Sequence, residues 1–175
     1  MAQRKGILCH VTSLPNGLED AERFIDYVVD YGASLWQMLP ITPPDEHGSP
    51  YSSPSAFAAW DSLGQSEQVD LSEESYWLED WLLYEAIKEK FDGKPWFEWP
   101  IEYRDRDPIT LASVEIDSSR QAGFMGRWKE IQKYAKQKEV GLIGDLPIFV
   151  AHDSADVWAH RELFLLEDNG MPNVV

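Results

Sequence analysis

The chain reads as an α/β protein built on three parallel strands, with a helical insertion between the second and the third. Three observations predict this. Short apolar runs at 6–11 (G-I-L-C-H-V), 35–41 (L-W-Q-M-L-P-I) and 141–150 (G-L-I-G-D-L-P-I-F-V) each have the length and composition of a buried strand. A stretch of helical period separates the first two, and strands joined across a helix run parallel. The third run follows a second amphipathic stretch and extends the same pattern.

The first strand closes in T-S-L-P-N-G, a turn signal. From Leu18 onward Ala21, Phe24, Ile25 and Val28 recur at helical spacing, and Gly32 supplies the stop. The second strand ends at Thr42, Pro43 and Pro44, which a helix would not tolerate. Residues 43–59 then form a long loop at the carboxyl end of that strand, and long loops in compact domains are usually functional. Ser72, followed by Glu73 and Glu74, starts a tryptophan-rich helix through Leu83, Ile87 and Phe91 that stops at Gly93 and Pro95. The irregular K-P-W-F-E-W-P leads to a helix with Phe124, Trp128, Ile131 and Ala135 on one face. Three segments result: 1–60 with two strands and the loop, 61–120 as the helical insertion, and 121–175 with the last helix, the third strand and the loop after it.

With 175 residues, 43% hydrophobic and 13% aromatic, the chain can bury a core, whereas disordered chains pair high charge with few aromatics. Thirty-one acidic against 15 basic residues give a formal net charge of −16, and the basic residues form no patch. A field of that sign repels phosphate backbones, so no nucleic acid is expected as partner. Cys9 is the only cysteine, which excludes an intrachain disulfide and a multi-cysteine metal site. No apolar run reaches the roughly 18 residues of a membrane span, and the first residues lack a signal-peptide core, so no membrane partner and a cytoplasmic location are expected.

Asp145 stands out because its neighbours Leu142, Ile143, Leu146, Ile148 and Phe149 belong in a core. A buried carboxylate must meet a polar partner. That partner is either a structural one or a ligand at the carboxyl end of a parallel strand, where such folds bind them. Tyr51, pinned between Pro50 and Pro54, is either packing or a stacking platform with a hydroxyl handle that suits a sugar. Trp81 and Trp128, at helical spacing, read as core. His10, His152 and His160 with Asp153 and Asp156 do not reproduce the H-E-x-x-H pattern, so no metal is expected. No phosphate-binding glycine loop or G-x-S-x-G is present, so no cofactor is expected either.

Four blocks are specific enough to carry a resemblance: G-I-L-C-H-V-T-S-L-P at 6–15, L-W-Q-M-L-P at 35–40, S-P-Y-S-S-P-S-A-F at 49–57 and G-L-I-G-D-L-P-I-F-V-A-H-D-S-A-D-V-W-A-H at 141–160. Together they resemble the amylomaltases, the 4-α-glucanotransferases of glycoside hydrolase family 77. The resemblance implies a partial (β/α)8 TIM barrel, its first three strands, since a closed barrel takes about 250 residues. It implies transfer of α-1,4-glucan segments to an acceptor glucose or maltodextrin by a retaining mechanism, with α-1,4-glucans and maltodextrins as partners. Tyr51 resembles the tyrosine that stacks on the sugar at the cleavage site, and Asp145 the aspartate lining that subsite. Ser49 and His10 are substrate-binding candidates by position.

In the family the nucleophile and the acid/base lie on later strands, so no catalytic residue is assigned in this chain. A carboxyl-terminal half on a separate chain would have to supply them. The alternatives are a non-catalytic glucan-binding or interaction module and a decayed fragment. Relative to the family, N-G-L-E-D replaces a longer turn, and Pro108–Ala122 is expected to be the shortened stretch.

Overall fold

The computed structural model describes residues 4–147 and 149–173. Its strands are β1 (Gly6–Leu8), β2 (Leu35–Gln37) and β3 (Gly141–Ile143), parallel and in the order β1-β2-β3. The α/β class and the three parallel strands agree with the sequence. Their lengths do not. Each strand keeps only three residues, and two to three further residues separate its end from the turn or proline that follows, at Val11, Pro40 and Pro147. Leu146 and Phe149, expected in a core, are 75% and 76% exposed, and Ile143 is 40% exposed. The expectation for Ile148 falls outside the described residues.

The chain divides into two compact units, each made of three stretches. Unit 1 comprises residues up to Thr42, Ala59–Asp70 and Ser119–Leu146. It holds the sheet, α1 (Ala21–Asp30) and α5 (Ser119–Gln137). Alternation along the strands puts Ile7, Trp36 and Leu142 on the face covered by these helices, where they join Val11, Ile25, Val28, Phe124, Ile131 and Ala135 in one core. The register leaves Leu8, Gln37 and Ile143 as an exposed row on the opposite face. Trp128 packs half-buried against this core, as its spacing predicts.

The short connection through residues 64–69 lies directly on α5. Ser66 N–H donates to Gly123 O (3.0 Å) and Val69 N–H to Ala122 O (3.4 Å). The Gln121 amide pairs with both backbone groups of Ala59, accepting from its N–H and donating to its C=O, each at 3.0 Å. A Cβ built on Gly126 would stand 2.0 Å from Glu67 O, so only glycine admits this approach. Arg127, only 8% exposed, donates to both carboxylate oxygens of Glu22 (2.7 and 2.5 Å) and to Leu18 O (2.8 Å), tying α5 to the entry of α1.

Unit 2 comprises Pro43–Ala58, Leu71–Ser118 and the residues from Pro147 onward. It is helical: α2 (Ser75–Lys90), α3 (Ile101–Arg104), α4 (Pro108–Leu111) and α6 (Ala155–Ala159). The tryptophan-rich helix begins three residues later than its Ser-Glu-Glu signal suggests, because 72–74 form a 3-10 turn. Its core gathers Trp77, Trp81, Tyr84, Ile87, Trp96, Trp99, Val157 and Trp158, so Trp81 is core as expected. Three of its indoles find backbone acceptors, Trp96 Nε1 donating to His152 O (2.7 Å), Trp99 Nε1 to Lys94 O (2.8 Å) and Trp158 Nε1 to Tyr103 O (3.1 Å), whereas the buried Trp81 Nε1 meets no hydrogen-bonding group among the described residues. Among the described residues no helix is long and apolar enough to cross a membrane.

Candidate sugar-binding site

In unit 2 the loop that carries Tyr51 is braced before the ring is reached. Asp45 Oδ1 accepts from the N–H groups of His47 (2.9 Å) and Ser49 (2.8 Å), and Asp45 N–H donates to Ser49 O (3.0 Å). Gly48, at φ +81°, makes the reversal possible. Ser49 caps the 3-10 turn Pro50–Ser52, its hydroxyl accepting from Tyr51 N–H at 3.4 Å, while Pro50 is buried. Tyr51 therefore sits on a fixed backbone and is 41% exposed. Both Ser49 and Tyr51 belong to one rigid turn; Asp45, the residue that sets it, is a functional support the motif did not single out.

The rest of the loop is stitched to the segment that follows the third strand. Ser53 O accepts from Ala151 N–H (3.2 Å), Pro54 O from Ala155 N–H (2.9 Å) and Asp156 Oδ2 from Ala56 N–H (3.0 Å). Ser53 and Ser55, both buried, use their hydroxyls on the loop's own backbone, Ser55 Oγ accepting from Phe57 and Ala58 N–H. Two sequence blocks about a hundred residues apart thus form one hydrogen-bonded assembly. Ser154 Oγ caps α6 through Val157 N–H (3.1 Å).

The histidine and aspartate set in that segment disperses. Asp153 accepts from Tyr84 Oη (2.8 Å) and Trp96 N–H (3.1 Å) and pairs with Lys88. That carboxylate, with burial, holds the Tyr84 hydroxyl far above the usual phenol range, burial being the larger cause. His152 stacks on Phe97 (4.6 Å between centroids) and contacts Gly170 O through Nε2 (2.7 Å). These are structural roles. Asp156 differs: burial pushes its carboxyl above the usual range, against the lowering effect of the Ala56 N–H.

In unit 1, His10 and Asp145 both follow the carboxyl ends of strands, β1 and β3, with β2 between them. Two strand spacings separate those strands, about 10 Å. Trp36 Nε1 donates to Cys9 O (2.7 Å) and Cys9 N–H to Gln37 O (2.9 Å), which fixes the backbone just before His10. His10 is 9% exposed; its two ring nitrogens are buried and meet no hydrogen-bonding protein group among the described residues. Burial lowers its imidazole pKa. Asp145 is not the buried carboxylate the sequence suggests. It is exposed, past the end of β3, and its Oδ1 accepts from Leu146 N–H at 2.9 Å. The strand stops at Ile143, two residues before Asp145. Among the described residues no group of three or more His, Cys, Asp or Glu side chains is arranged to hold a metal ion.

A parallel α/β sheet with polar residues just past the carboxyl ends of its strands has the arrangement in which α/β enzymes bind their ligands. The chain belongs to glycoside hydrolase family 77, whose model is described as 4-alpha-glucanotransferase and matches residues 9–71 and 64–173. It is 32% identical to a 4-alpha-glucanotransferase of Aquifex aeolicus over 231 residues, covering 95% of this chain and 47% of that protein. It is 31% identical to a chloroplastic/amyloplastic 4-alpha-glucanotransferase of Oryza sativa subsp. japonica, covering 99% and 41%. An amylomaltase from Streptococcus agalactiae, solved in complex with acarbose, superposes with a TM-score of 0.81 at 27% identity, over 96% of this chain and 48% of the other. The chain spans about half the length of the curated relatives it matches. Within the matched span the Aquifex alignment is longer than this entire chain, so that relative carries additional residues there. The two matched segments meet at 64–71, on the connection seated against α5, whereas Pro108–Ala122 lies inside the second segment.

Proposed function

We propose that this chain forms part of the sugar cradle of an amylomaltase-type 4-α-glucanotransferase, its three strands being part of a (β/α)8 barrel. In that enzyme an α-1,4-glucan segment passes from a donor to the 4-hydroxyl of an acceptor glucose or maltodextrin with retention of configuration. Retention requires a nucleophilic carboxylate and an acid/base carboxyl about 5–5.5 Å apart. Neither is assigned to a residue of this chain, so these 175 residues by themselves are expected to be inactive, and the groups that cut the bond lie outside them. Tyr51 offers its ring face to a glucose unit, with Ser49 holding its backbone. Asp145 accepts sugar hydroxyls, and His10 donates from or accepts at a buried ring nitrogen. A cytoplasmic location is part of the same proposal.

The observation that carries this reading is the Tyr51 turn, braced by Asp45 and Ser49 while its ring stays exposed, in a chain of this family. Incubating the purified chain with maltotriose tests it: no glucose above a no-protein control is expected, and glucose release would overturn the assignment of the carboxylates elsewhere. Adding maltoheptaose should quench tryptophan emission saturably, and Tyr51→Ala should weaken that response by about tenfold. An unchanged response would remove Tyr51 from the site.

A further inference from the structure

Formal charge is divided unevenly between the two units. Unit 2 holds 20 acidic and 6 basic residues, so −14 of the chain's −16 falls on it. Within this unit a cavity of about 350 Å³ opens between α2 and α4, and no residue of the Tyr51 turn lines it. Its walls are apolar: Leu83 from α2, and Pro108, Leu111 and Ala112 from α4 and its end. The α4 wall is ordered from its start, where Asp107 Oδ2 accepts from Thr110 N–H (2.8 Å) and from the Thr110 hydroxyl (2.7 Å). Two charged residues complete the lining, Glu79 one turn before Leu83 and Arg106 just before α4.

These two are not partners of each other. Arg106 donates through Nη2 to Asp80 Oδ1 (2.5 Å), and its guanidinium lies 4.3 Å from the centre of the Trp158 ring, so it is held in place. Its Nη1 is buried and meets no acceptor among the described residues. Glu79 is exposed and has no ion pair among the described residues. The lining therefore offers an apolar pocket, a donor lacking an acceptor and a free carboxylate. An anion would satisfy the donor but must approach Glu79 inside the field of an acidic unit. A small amine would pair with Glu79 and leave Nη1 unmatched, and a hydrocarbon would serve neither group. A peptide meets all three, with a backbone carbonyl for Nη1, an apolar side chain for the pocket and a lysine or arginine for Glu79.

We propose that the cavity between α2 and α4 is a docking site for a basic segment of a partner protein, which inserts an apolar side chain against Leu83 and Leu111 and sets an adjoining cation on Glu79. The charge of unit 2 draws such a segment in, and the pocket fixes its register. The volume suits a single side chain with its flanking backbone and not a helix laid along a groove. Nothing in this proposal uses the glucan-binding reading given above.

The test uses the full chain and a tetramethylrhodamine-labelled peptide, Gly-Lys-Leu-Lys-Gly, followed by fluorescence anisotropy. Anisotropy should rise saturably, and a peptide with serine in place of leucine, identical in charge, should bind about tenfold more weakly. Glu79→Lys, at an exposed position, should weaken binding of the leucine peptide about tenfold, and Ala112→Tyr, which fills the pocket, should do the same, with circular dichroism verifying the fold of each variant. Glu98→Lys makes the same change of charge on unit 2 outside the cavity lining and should weaken binding far less. A signal that does not saturate overturns the proposal. Equal binding of the leucine and serine peptides, or equal losses in Glu79→Lys and Glu98→Lys, overturns it in favour of unspecific attraction to the acidic unit. The peptide comparison needs only the parent chain, so it decides even where a variant does not fold. Tyr51→Ala should leave peptide binding unchanged, so failure of this site and failure of the Tyr51 assignment are read separately.

Discussion

Gly126→Ala sets two physical effects of opposite sign against each other. Gly126 lies inside the 19-residue α5, where replacing glycine by alanine ordinarily gains about 1 kcal/mol. The new methyl, however, would sit 2.0 Å from the carbonyl oxygen of Glu67 and 2.9 Å from Ser66 Oγ, so the connection must retreat by an ångström or more. Overpacking of this kind costs about 1–3 kcal/mol, and the retreat also strains the Ser66 N–H bond to Gly123 O, worth about 1 kcal/mol. The net expectation is a loss of about 2 kcal/mol. For a chain of this length that lowers Tm by about 4–8 °C. Gly123→Ala is the internal control. There the obstacle is the Gln65 side chain, 2.1 Å away, which can swing aside at the cost of its bonds to Asp61 O and Arg120 O. Its net effect should stay within about 1 kcal/mol of zero. Thermal unfolding followed by circular dichroism distinguishes the two. A Gly126→Ala chain that melts at or above the parent would show that the connection is not seated on α5 as described.

The remaining predictions concern buried charge. His10 has a folded pKa below the usual imidazole value of 6.5 because burial disfavours its cation, so the unfolded chain binds the proton first. Its contribution is neutral above 6.5, and stability falls as pH drops below that value, by at most about 1.4 kcal/mol per pH unit; His10→Phe should flatten this dependence in urea titrations between pH 7 and 5. Glu22 has the opposite form. Its hydrogen bonds from Arg127 depress its pKa below 4.5, so the stability it adds is present above that value and vanishes as pH falls through the depressed one. Arg127→Leu should abolish this acid-side loss and cost about 2 kcal/mol at neutral pH, read from denaturant midpoints. Asp153→Ala should cost about 3 kcal/mol by stranding Lys88 and two donors, and Asp153→Asn only about 1 kcal/mol because its amide oxygen still accepts from Tyr84 and Trp96; equal losses would contradict the bonding seen around that carboxylate.

Local patterns were legible where a short segment determines its own state. The β-α-β start, the parallel sense of the strands and the helix carrying Phe124, Trp128 and Ile131 follow from period and turn residues. Strand length did not, since an apolar run says that a segment prefers burial and not that a neighbour is there to bury it. Leu146 and Phe149 illustrate the difference, and Asp145 was misjudged as buried for the same reason. At the candidate site Tyr51 and Ser49 were visible through their prolines. The role of Asp45 could have been found, because an aspartate two and four residues before His47 and Ser49 is an Asx-turn pattern. Asp156 could not, because its partner Ala56 is a hundred residues away and shows no local signal.

The interleaving of the two units has a consequence for how the chain is made. Unit 1 lacks its central helix and one sheet strand until residues 119–146 have been synthesised, and unit 2 waits for the segment after Pro147 that carries Asp153 and Trp158. Neither can therefore condense from its first stretches alone: unit 1 is complete only once Leu146 has emerged, and unit 2 only after the segment from Pro147 has followed. Nascent chains should stay protease-sensitive until Ser119–Leu146 has emerged, and unit 1 should then acquire resistance before unit 2.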